Sequence, residues 1–202
     1  MKRYCFYIDG FNVYHALQEH SYYHKYKWLN YQQLAKSVIG AKDTISKVYL
    51  FTAYVHWKKD VVIRHQEYIK ALRSVGVEII MGRFLKKDKL CHKCNQIFTT
   101  HEEKQSDVNI ALQMISDAVE DKYDRAVIIS ADSDLLPVIK TVQYHRPEKE
   151  IGVMLPIGLS SFDLRQNVAF RFKMKESLLK NCQFPDEINI GGAIIKRPAT
   201  WN

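Results

Sequence analysis

Apolar runs alternate with segments of helical spacing along this chain of 202 residues. Runs that are apolar throughout are typical of parallel strands buried on both faces. The predicted strands are residues 4–8, 46–55, 77–85, 125–130 and 150–155, with a sixth at 170–174. Alternating strands and helices of this length predict a mostly parallel sheet with helices on both faces, which is a three-layer α/β/α fold.

Capping residues indicate where several helices begin and end. A helix is predicted from Val13 to His20, and a short one follows Asn30 as N-cap, with Gly40 just past its end. The helix after the second strand stops at Gly76. In the helix after the fourth strand, Pro137 falls in the first turn, where a missing N–H does little harm.

The segment between the third and fourth strands interrupts this rhythm. Residues 86–101 form an insertion rich in Lys and Cys, and Thr100 with Glu103 has the spacing of a capping box for the next helix. That helix is predicted to bury an apolar stripe. The stripe consists of Val108, Leu112, Ile115 and Val119.

Composition indicates a globular chain with basic character. Hydrophobic residues make up 47% and charged residues 26%, and the net charge is +8. An excess of positive charge favours polyanionic partners such as nucleic acid, although many basic proteins bind none. No apolar run approaches the roughly 20 residues of a membrane span. Four cysteines and no export signal at the N-terminus predict a cytoplasmic protein.

Acidic residues follow two predicted strands and open one helix. Asp9 follows the first strand, Asp132 and Asp134 follow the fourth, and Asp107 lies in the helix before the fourth. In open parallel sheets, sites form beyond the carboxyl ends of the strands. Converging carboxylates repel one another unless a cation neutralises them, and Mg²⁺ or Mn²⁺ prefers such oxygen ligands. The alternative for each acid is a turn or a helix cap.

Three sequence blocks carry a family resemblance. "YIDGFNVYHAL", "EEKQSDVNIAL" and "VIISADSDLLPVI" resemble, in order and spacing, the signature blocks of the NYN domain in its LabA-like branch, within the PIN-like nuclease superfamily. The likeness covers residues 4–173. It implies a PIN-like, Rossmannoid three-layer fold over residues 1–183, followed by a C-terminal tail at 184–202.

The resemblance also implies roles for individual residues. It gives Asp9, Asp107, Asp132 and Asp134 as catalytic ligands of Mg²⁺ or Mn²⁺, and RNA as the substrate. Predicted substrate contacts, by resemblance or by position beside the acids, are Asn12, Lys104, Ser130 and Ser133. Asn12 could instead orient Asp9, the two serines could donate hydrogen bonds to carboxylates, and Lys104 is equally well explained as a solvated lysine. The chain departs from the family before the last strand, where Ala169 replaces an expected acid, and this predicts a weaker metal site.

Basic and aromatic side chains are candidates for holding single-stranded RNA. The basic candidates are Lys58, Lys59, Arg64, Lys86, Lys87, Lys89 and Lys93. The stacking candidates are Tyr22, Tyr23, Tyr26 and Trp28, for which ordinary core packing is the alternative.

Cys91 and Cys94 have the spacing of half a zinc knuckle. A structural zinc needs four ligands, and His101 is a candidate for the third. The alternatives are a flexible basic loop or a cysteine pair completed by a partner subunit, so the oligomeric state stays open and includes a homodimer.

The sequence therefore predicts a metal-dependent ribonuclease that leaves a 5′-phosphate and a 3′-hydroxyl. An RNA-binding or regulatory module with little turnover is the alternative, and a phosphatase acting on small phosphoesters is a third interpretation.

Overall fold

A computed structural model of the chain describes residues 1–201, and the strands and helices counted below are those within these residues. The ten strands are β1 (Arg3–Asp9), β2 (Thr44–Thr52), β3 (Val77–Met81), β4 (Arg83–Leu90), β5 (Ile97–Lys104), β6 (Arg125–Ile129), β7 (Glu150–Leu155), β8 (Phe170–Lys173), β9 (Glu187–Ile190) and β10 (Ala193–Lys196). The seven α-helices are α1 (Gly10–Glu19), α2 (Tyr31–Lys36), α3 (Lys59–Ser74), α4 (Ser106–Val119), α5 (Leu136–His145), α6 (Phe162–Gln166) and α7 (Glu176–Asn181).

Six strands form one parallel sheet in the order β3-β2-β1-β6-β7-β8. The chain builds outward from β1 to β3, then returns to the other side of β1 and builds outward to β8. The strand order therefore reverses between β1 and β6, and a crevice opens at their carboxyl ends. The predicted α/β architecture with six parallel strands is confirmed.

Helices cover both faces of the sheet because successive side chains of each strand point to opposite sides. Phe6 and Ile8 belong to a core shared with α1, α2 and α3, whereas Cys5 and Tyr7 belong to a second core shared with α4 and α5. Each face is thus buried, which explains why the central strands are apolar throughout.

The region from 77 to 104 differs from its prediction. The strand predicted at 77–85 is divided at Gly82 into β3 and β4, and β4 pairs with β5 as an antiparallel hairpin. The prediction that Thr100 and Glu103 form a capping box is wrong, because both residues lie in β5 and α4 begins at Ser106. The predicted insertion is therefore a two-stranded arm over residues 83–104.

Helix α4 buries a different face from the predicted one. Val108, Leu112 and Val119 are 60%, 61% and 66% exposed, whereas Ile110 and Met114 are fully buried. The helix carries apolar residues around most of its circumference. Periodicity alone therefore did not determine which face packs on the sheet.

The C-terminal segment packs against the domain. β9 and β10 form a hairpin, and the Trp201 ring lies 6.1 Å from Trp28 and 5.4 Å from Tyr68, measured between ring centroids. Asn202, the last residue of the predicted tail, lies outside the described residues. Within residues 1–201, no helix has the length and apolar character needed to cross a bilayer.

Candidate functional site

Asp9 occupies the junction between β1 and α1. It is the last residue of β1 and the N-cap of α1, where its carboxylate accepts a hydrogen bond of 3.0 Å from the backbone N–H of Asn12. A Cβ on Gly10 would lie 2.7 Å from the carbonyl oxygen of Phe51, so only glycine lets the helix start this close to β2. Asp9 therefore caps α1, which is the alternative role predicted for it. The same hydrogen bond fixes its carboxylate at the sheet edge.

The same carboxylate is connected to the end of β6. Ser130 is fully buried, and its hydroxyl donates a hydrogen bond of 2.9 Å to the second oxygen of Asp9. The side-chain oxygen of Asn12 accepts from the backbone N–H of Ala131 at 2.9 Å. Asn12 and Ser130 therefore bind the two strand ends together and orient Asp9, a role that the sequence allowed for both beside substrate contact.

Asp132 and Asp134 lie in the turn after β6. The side chain of Asp132 accepts a hydrogen bond of 2.9 Å from the backbone N–H of Asp134 and caps the short 3₁₀ helix at 133–135. Ser133 and Asp134 are exposed at this turn, and Asp132 is half-buried. One acid therefore caps, as expected for the pair, and the other projects toward solvent.

The pKa values show that the carboxyl groups act on one another. The pKa of Asp9 is raised to about 6, first because the group is buried, with smaller contributions from Asp107 and Glu103. Hydrogen bonds from Asn12 and Ser130 oppose this shift because they favour the charged form. Burial also raises the pKa of Asp107, and the negative charges of Asp132, Glu103 and Asp134 raise it further.

These acids suit a hydrated divalent cation better than a protein cage. Among residues 1–201, no group of three His, Cys, Asp or Glu side chains is close enough together to hold a metal ion. Mg²⁺ does not require such a group, because it keeps several waters and binds through one or two carboxylates plus substrate phosphate. The donors are oxygens, and burial, with a smaller contribution from mutual repulsion, raises the pKa values of Asp9 and Asp107, so a cation here would favour their charged forms.

Glu103 is a site residue that sequence reasoning assigned only to helix capping. The hydroxyl of buried Ser106 donates a hydrogen bond to its carboxylate, and its charge contributes to the raised pKa values of Asp9 and Asp107. Its place depends on the register of the β4–β5 hairpin, which no local sequence pattern indicated.

The comparison with known families agrees with this geometry. The NYN domain profile matches residues 3–172, which is most of the chain. The chain belongs to the NYN domain family. The crystal structure of VPA0982, a protein of unknown function from Vibrio parahaemolyticus, shares the fold of this NYN domain with a TM-score of 0.61 at 19% identity, covering 87% of this chain and 94% of that one.

One curated relative aligns along nearly the whole NYN domain protein. It is the 6-hydroxy-3-succinoylpyridine 3-monooxygenase HspA of Pseudomonas putida, which is 29% identical over 235 aligned positions. The alignment covers 96% of this chain and 74% of that protein.

Ala169 lies far from the acids of the NYN domain, which corrects the inference that it weakens the metal site. Phe170 of β8 and Phe6 of β1 lie at the same height in the sheet. The neighbouring strand pairs that connect them are Phe170–Gly152, Gly152–Val127 and Val127–Phe6. Ala169 is thus level with Cys5, four residues before Asp9 and three strands away. At about 3.3 Å per residue and 4.8 Å per strand, this is roughly 13 Å along the sheet and 14 Å across it. An acid at position 169 would not reach a metal held by Asp9.

The lysines of the hairpin are partly neutralised. Glu102 forms ion pairs with Lys89 at 2.6 Å, Lys104 at 3.2 Å and Lys87 at 3.8 Å. Hydrogen bonds from Lys89 and then Lys104 lower the pKa of Glu102 to about 2. Lys104, predicted to contact substrate, is therefore held on the arm by Glu102. Residues 83–104 still contain six Lys or Arg against three acids, so the arm remains positive.

Most of the predicted stacking aromatics are packing residues. Tyr26 and Trp28 are buried, and Tyr22 is exposed but donates a hydrogen bond of 2.6 Å to Glu176. An aromatic row that sequence reasoning missed runs from α1 to the arm. Its successive ring centroids are 5.3 Å apart for Phe11–Phe84, 5.0 Å for Phe84–Trp57 and 3.6 Å for Trp57–His101.

The cysteine pair lies at the tip of the arm, beyond the last strand pair. Backbone hydrogen bonds at Cys94 and Lys93 lower the pKa of the Cys91 thiol. His101 stacks on Trp57 and pairs with Lys86, five residues before Cys91 along the arm, which separates it from the cysteines by roughly 16 Å. The zinc set Cys91, Cys94 and His101 is therefore wrong, and zinc at Cys91 and Cys94 would need ligands from elsewhere.

Proposed function

We propose that this NYN domain protein is a divalent-metal-dependent ribonuclease that hydrolyses phosphodiester bonds of single-stranded RNA. The observation that carries the proposal is the set of carboxylates at the switch point between β1 and β6, where burial and mutual repulsion raise the pKa values of Asp9 and Asp107. Perturbed carboxyls that gather in a crevice are a recurrent property of catalytic sites.

Asp9, Asp107, Asp132 and Asp134 would hold the cation, with Glu103 adding negative charge nearby. A bound Mg²⁺ or Mn²⁺ lowers the pKa of a coordinated water and neutralises charge on the scissile phosphate. Asn12 and Ser130 act as positioning residues, because their hydrogen bonds fix Asp9 between the two strand ends. Attack by water rather than by the ribose 2′-hydroxyl would leave a 5′-phosphate and a 3′-hydroxyl.

The surface around the acids supports RNA as the substrate. RNA is a polyanion, so an acidic crevice can bind it only with positive charge nearby. The β4–β5 arm has a net positive charge and can supply it. The row of Phe11, Phe84, Trp57 and His101 connects α1, which begins directly after Asp9, to this arm. Trp57 is 42% exposed and offers a face on which an unpaired base can stack.

The test is cleavage of labelled single-stranded RNA with Mn²⁺, with Mg²⁺ and with EDTA. Cleavage is expected only with metal, and Asp9→Asn should remove it. Asp186→Asn is the matched control, since Asp186 is an exposed carboxylate that pairs with Arg197 and does not belong to the set of acids at the crevice. Cleavage in EDTA, or full activity of Asp9→Asn, would contradict the proposal. Rapid hydrolysis of p-nitrophenyl phosphate with intact RNA would favour a phosphatase.

A second candidate is an RNA-binding or regulatory module with little turnover. It is favoured by the absence, within residues 1–201, of three donor side chains close enough to hold a metal. RNA that is bound but stays intact under every metal would select this candidate. We also propose a cytoplasmic location, because all four cysteines are free thiols.

A further inference from the structure

A cavity of about 260 Å³ lies between α1 and α3, beyond the carboxyl end of β2. Aromatic rings supply much of its wall. The aromatic lining residues are Phe11, Tyr14, Tyr31, Tyr68 and Trp201. Trp201 also lines the cavity, so a residue near the end of the described chain contributes to its wall.

Three cations line this apolar cavity without a negative partner. They are Lys27, Lys58 and Arg64, and within residues 1–201 none of them forms a salt bridge with a carboxylate. Lys27 is only 6% exposed. Its ammonium donates a hydrogen bond to the side chain of Gln18 and lies 5.0 Å from the centroid of the Tyr14 ring.

The electrostatics show that this positive charge is costly as it stands. Burial, and secondly repulsion by Arg64, lower the pKa of Lys27 to about 8. A buried ammonium without an opposite charge is unfavourable, and pairing with an anion is one way to lower that cost. An anion placed between Lys27 and Arg64 would offset the desolvation cost of the ammonium and counter the repulsion between the two cations.

The cavity also contains a neutral polar pair. The Nε2 atom of His65 lies 3.2 Å from the hydroxyl oxygen of buried Thr52. Burial lowers the pKa of His65 to about 4, so its ring is uncharged near neutral pH. The pair therefore offers hydrogen-bonding groups without adding charge, which suits the polar edge of a heterocycle or a carbonyl oxygen.

We propose that this cavity binds a small planar organic anion, in which one aromatic ring packs against Tyr14, Tyr31 and Tyr68 and one phosphate or carboxylate lies against Lys27 and Arg64. The volume is below the 300–1,000 Å³ typical of pockets for drug-sized ligands, and it therefore fits one ring with one acidic group. Both a pyrimidine nucleotide and a free aromatic carboxylate have this chemistry.

The proposed site is distinct from the acid crevice. The crevice gathers carboxylates after β1 and β6, whereas the cavity gathers cations after β2, so the two sites attract opposite charges. They meet at α1, since Gly10 and Phe11 line the cavity and directly follow Asp9. The inference does not depend on ribonuclease activity, and binding can be measured in EDTA, where a metal at the crevice makes no contribution.

The experiment is calorimetric titration of the full chain, in EDTA at pH 7, with uridine monophosphate, with benzoate and with inorganic phosphate. Saturable binding of at least one ring-bearing anion is expected, with phosphate alone at least tenfold weaker. A nucleotide preference would indicate an RNA-derived ligand, and a benzoate preference would indicate a free metabolite. If neither ring-bearing anion binds, or if phosphate alone binds equally well, the proposal is overturned.

Variants separate the cavity from other anion-binding surfaces. Lys27→Met and Arg64→Gln should each weaken binding at least tenfold, whereas Lys140→Met, on the exposed side of α5, should leave it unchanged. Lys27→Met keeps the aliphatic stem and removes a buried charge, so it should fold. Arg64→Gln, at a half-buried position, gives an independent result. Unchanged affinity in either folded cavity variant would overturn the assignment.

Discussion

The hydroxyl of Ser130 donates a hydrogen bond to the carboxylate of Asp9 across 2.9 Å, although 121 positions separate the two residues in the chain. The bond is fully enclosed and crosses the point where the strand order of the sheet reverses. It favours the charged form of a carboxyl whose burial favours the neutral form. Ser130 therefore helps set the pH at which Asp9 becomes available to a cation.

Ser130→Ala is expected to move the acid limb of the cleavage pH profile upward. Removal of the donor raises the pKa of Asp9 further above its present value of about 6. An upward shift of one pKa unit corresponds to about 1.4 kcal/mol, so activity should fall about fivefold near pH 6, about tenfold near pH 5, and very little at pH 8. Ser133→Ala, at an exposed position of the same turn, is the control. An equal loss at all three pH values would show that Ser130 acts only on structure.

Asp9→Asn is expected to stabilise the metal-free protein at neutral pH. The folded pKa of Asp9 is raised from 3.8 to about 6, so the folded state binds more protons between these values and stability falls as pH rises through that window. The cost above pH 6 is at most about 3 kcal/mol. Urea unfolding at pH 7.5 in EDTA should give a higher free energy for the variant than for the wild type.

Added Mg²⁺ provides the complementary measurement for Asp9. A bound cation stabilises only the folded state, so the wild type should gain several degrees in Tm with millimolar Mg²⁺ while Asp9→Asn gains little. Equal gains in both proteins would place the cation elsewhere.

Lys27→Met is expected to raise the free energy of unfolding, and the gain should be larger at neutral pH than at alkaline pH. The folded pKa of Lys27 is lowered from 10.5 to about 8, so the unfolded state binds more protons between these values. Stability of the wild type should therefore rise with pH from 8 to 10.5, and the penalty is complete below pH 8. Groups near the ammonium are Arg64 of α3 and Tyr14 and Gln18 of α1. Unfolding at pH 7.5 and pH 9.5 should show an advantage for the variant that shrinks at the higher pH.

Asp117→Ala is expected to cost about 2–4 kcal/mol of stability, because it leaves a buried polar group without a partner. Asp117 is fully buried and accepts hydrogen bonds from Tyr7 at 2.8 Å, from Gln113 at 2.8 Å and from Lys122 at 3.2 Å. The double variant with Tyr7→Phe should recover part of the loss, since the orphaned hydroxyl is gone. Additive losses in urea unfolding would contradict this account.

Replacement of Lys86, Lys87 and Lys89 by Ala should reduce the salt dependence of RNA binding. Each phosphate contact on single-stranded RNA contributes about 0.7 to the logarithmic slope, so the upper limit is about 2. A smaller change is expected because Lys87 and Lys89 already pair with Glu102. Filter binding between 50 and 300 mM salt measures the slope. Lys42, Lys140 and Lys180 replaced together form the control, and an unchanged slope would remove the arm from the interface.

The parallel sheet and its acidic edge were predictable because they depend on local patterns. A strand covered on both faces must be apolar throughout, and residues after such a strand must lie at the sheet edge. Asp9 and Asp132 were placed at this edge in this way, whereas Asp107, in the first turn of α4, was assigned from the family resemblance. The same reasoning failed for α4, whose apolar residues surround the helix and leave the buried face undetermined.

Register and long-range closure decided what the sequence left open. The pairing of β8 with β7 places Ala169 away from the acids, and the pairing of β4 with β5 separates His101 from the cysteines and brings Glu103 toward Asp9. The cationic cavity joins residues from Gly10 to Trp201. The sequence by itself determined which segments are buried and which chemical groups follow them, because burial and capping act within a few residues. Which groups face one another was decided only by the tertiary structure, because strand register and the return of the C-terminus set distances between residues that are far apart in the chain.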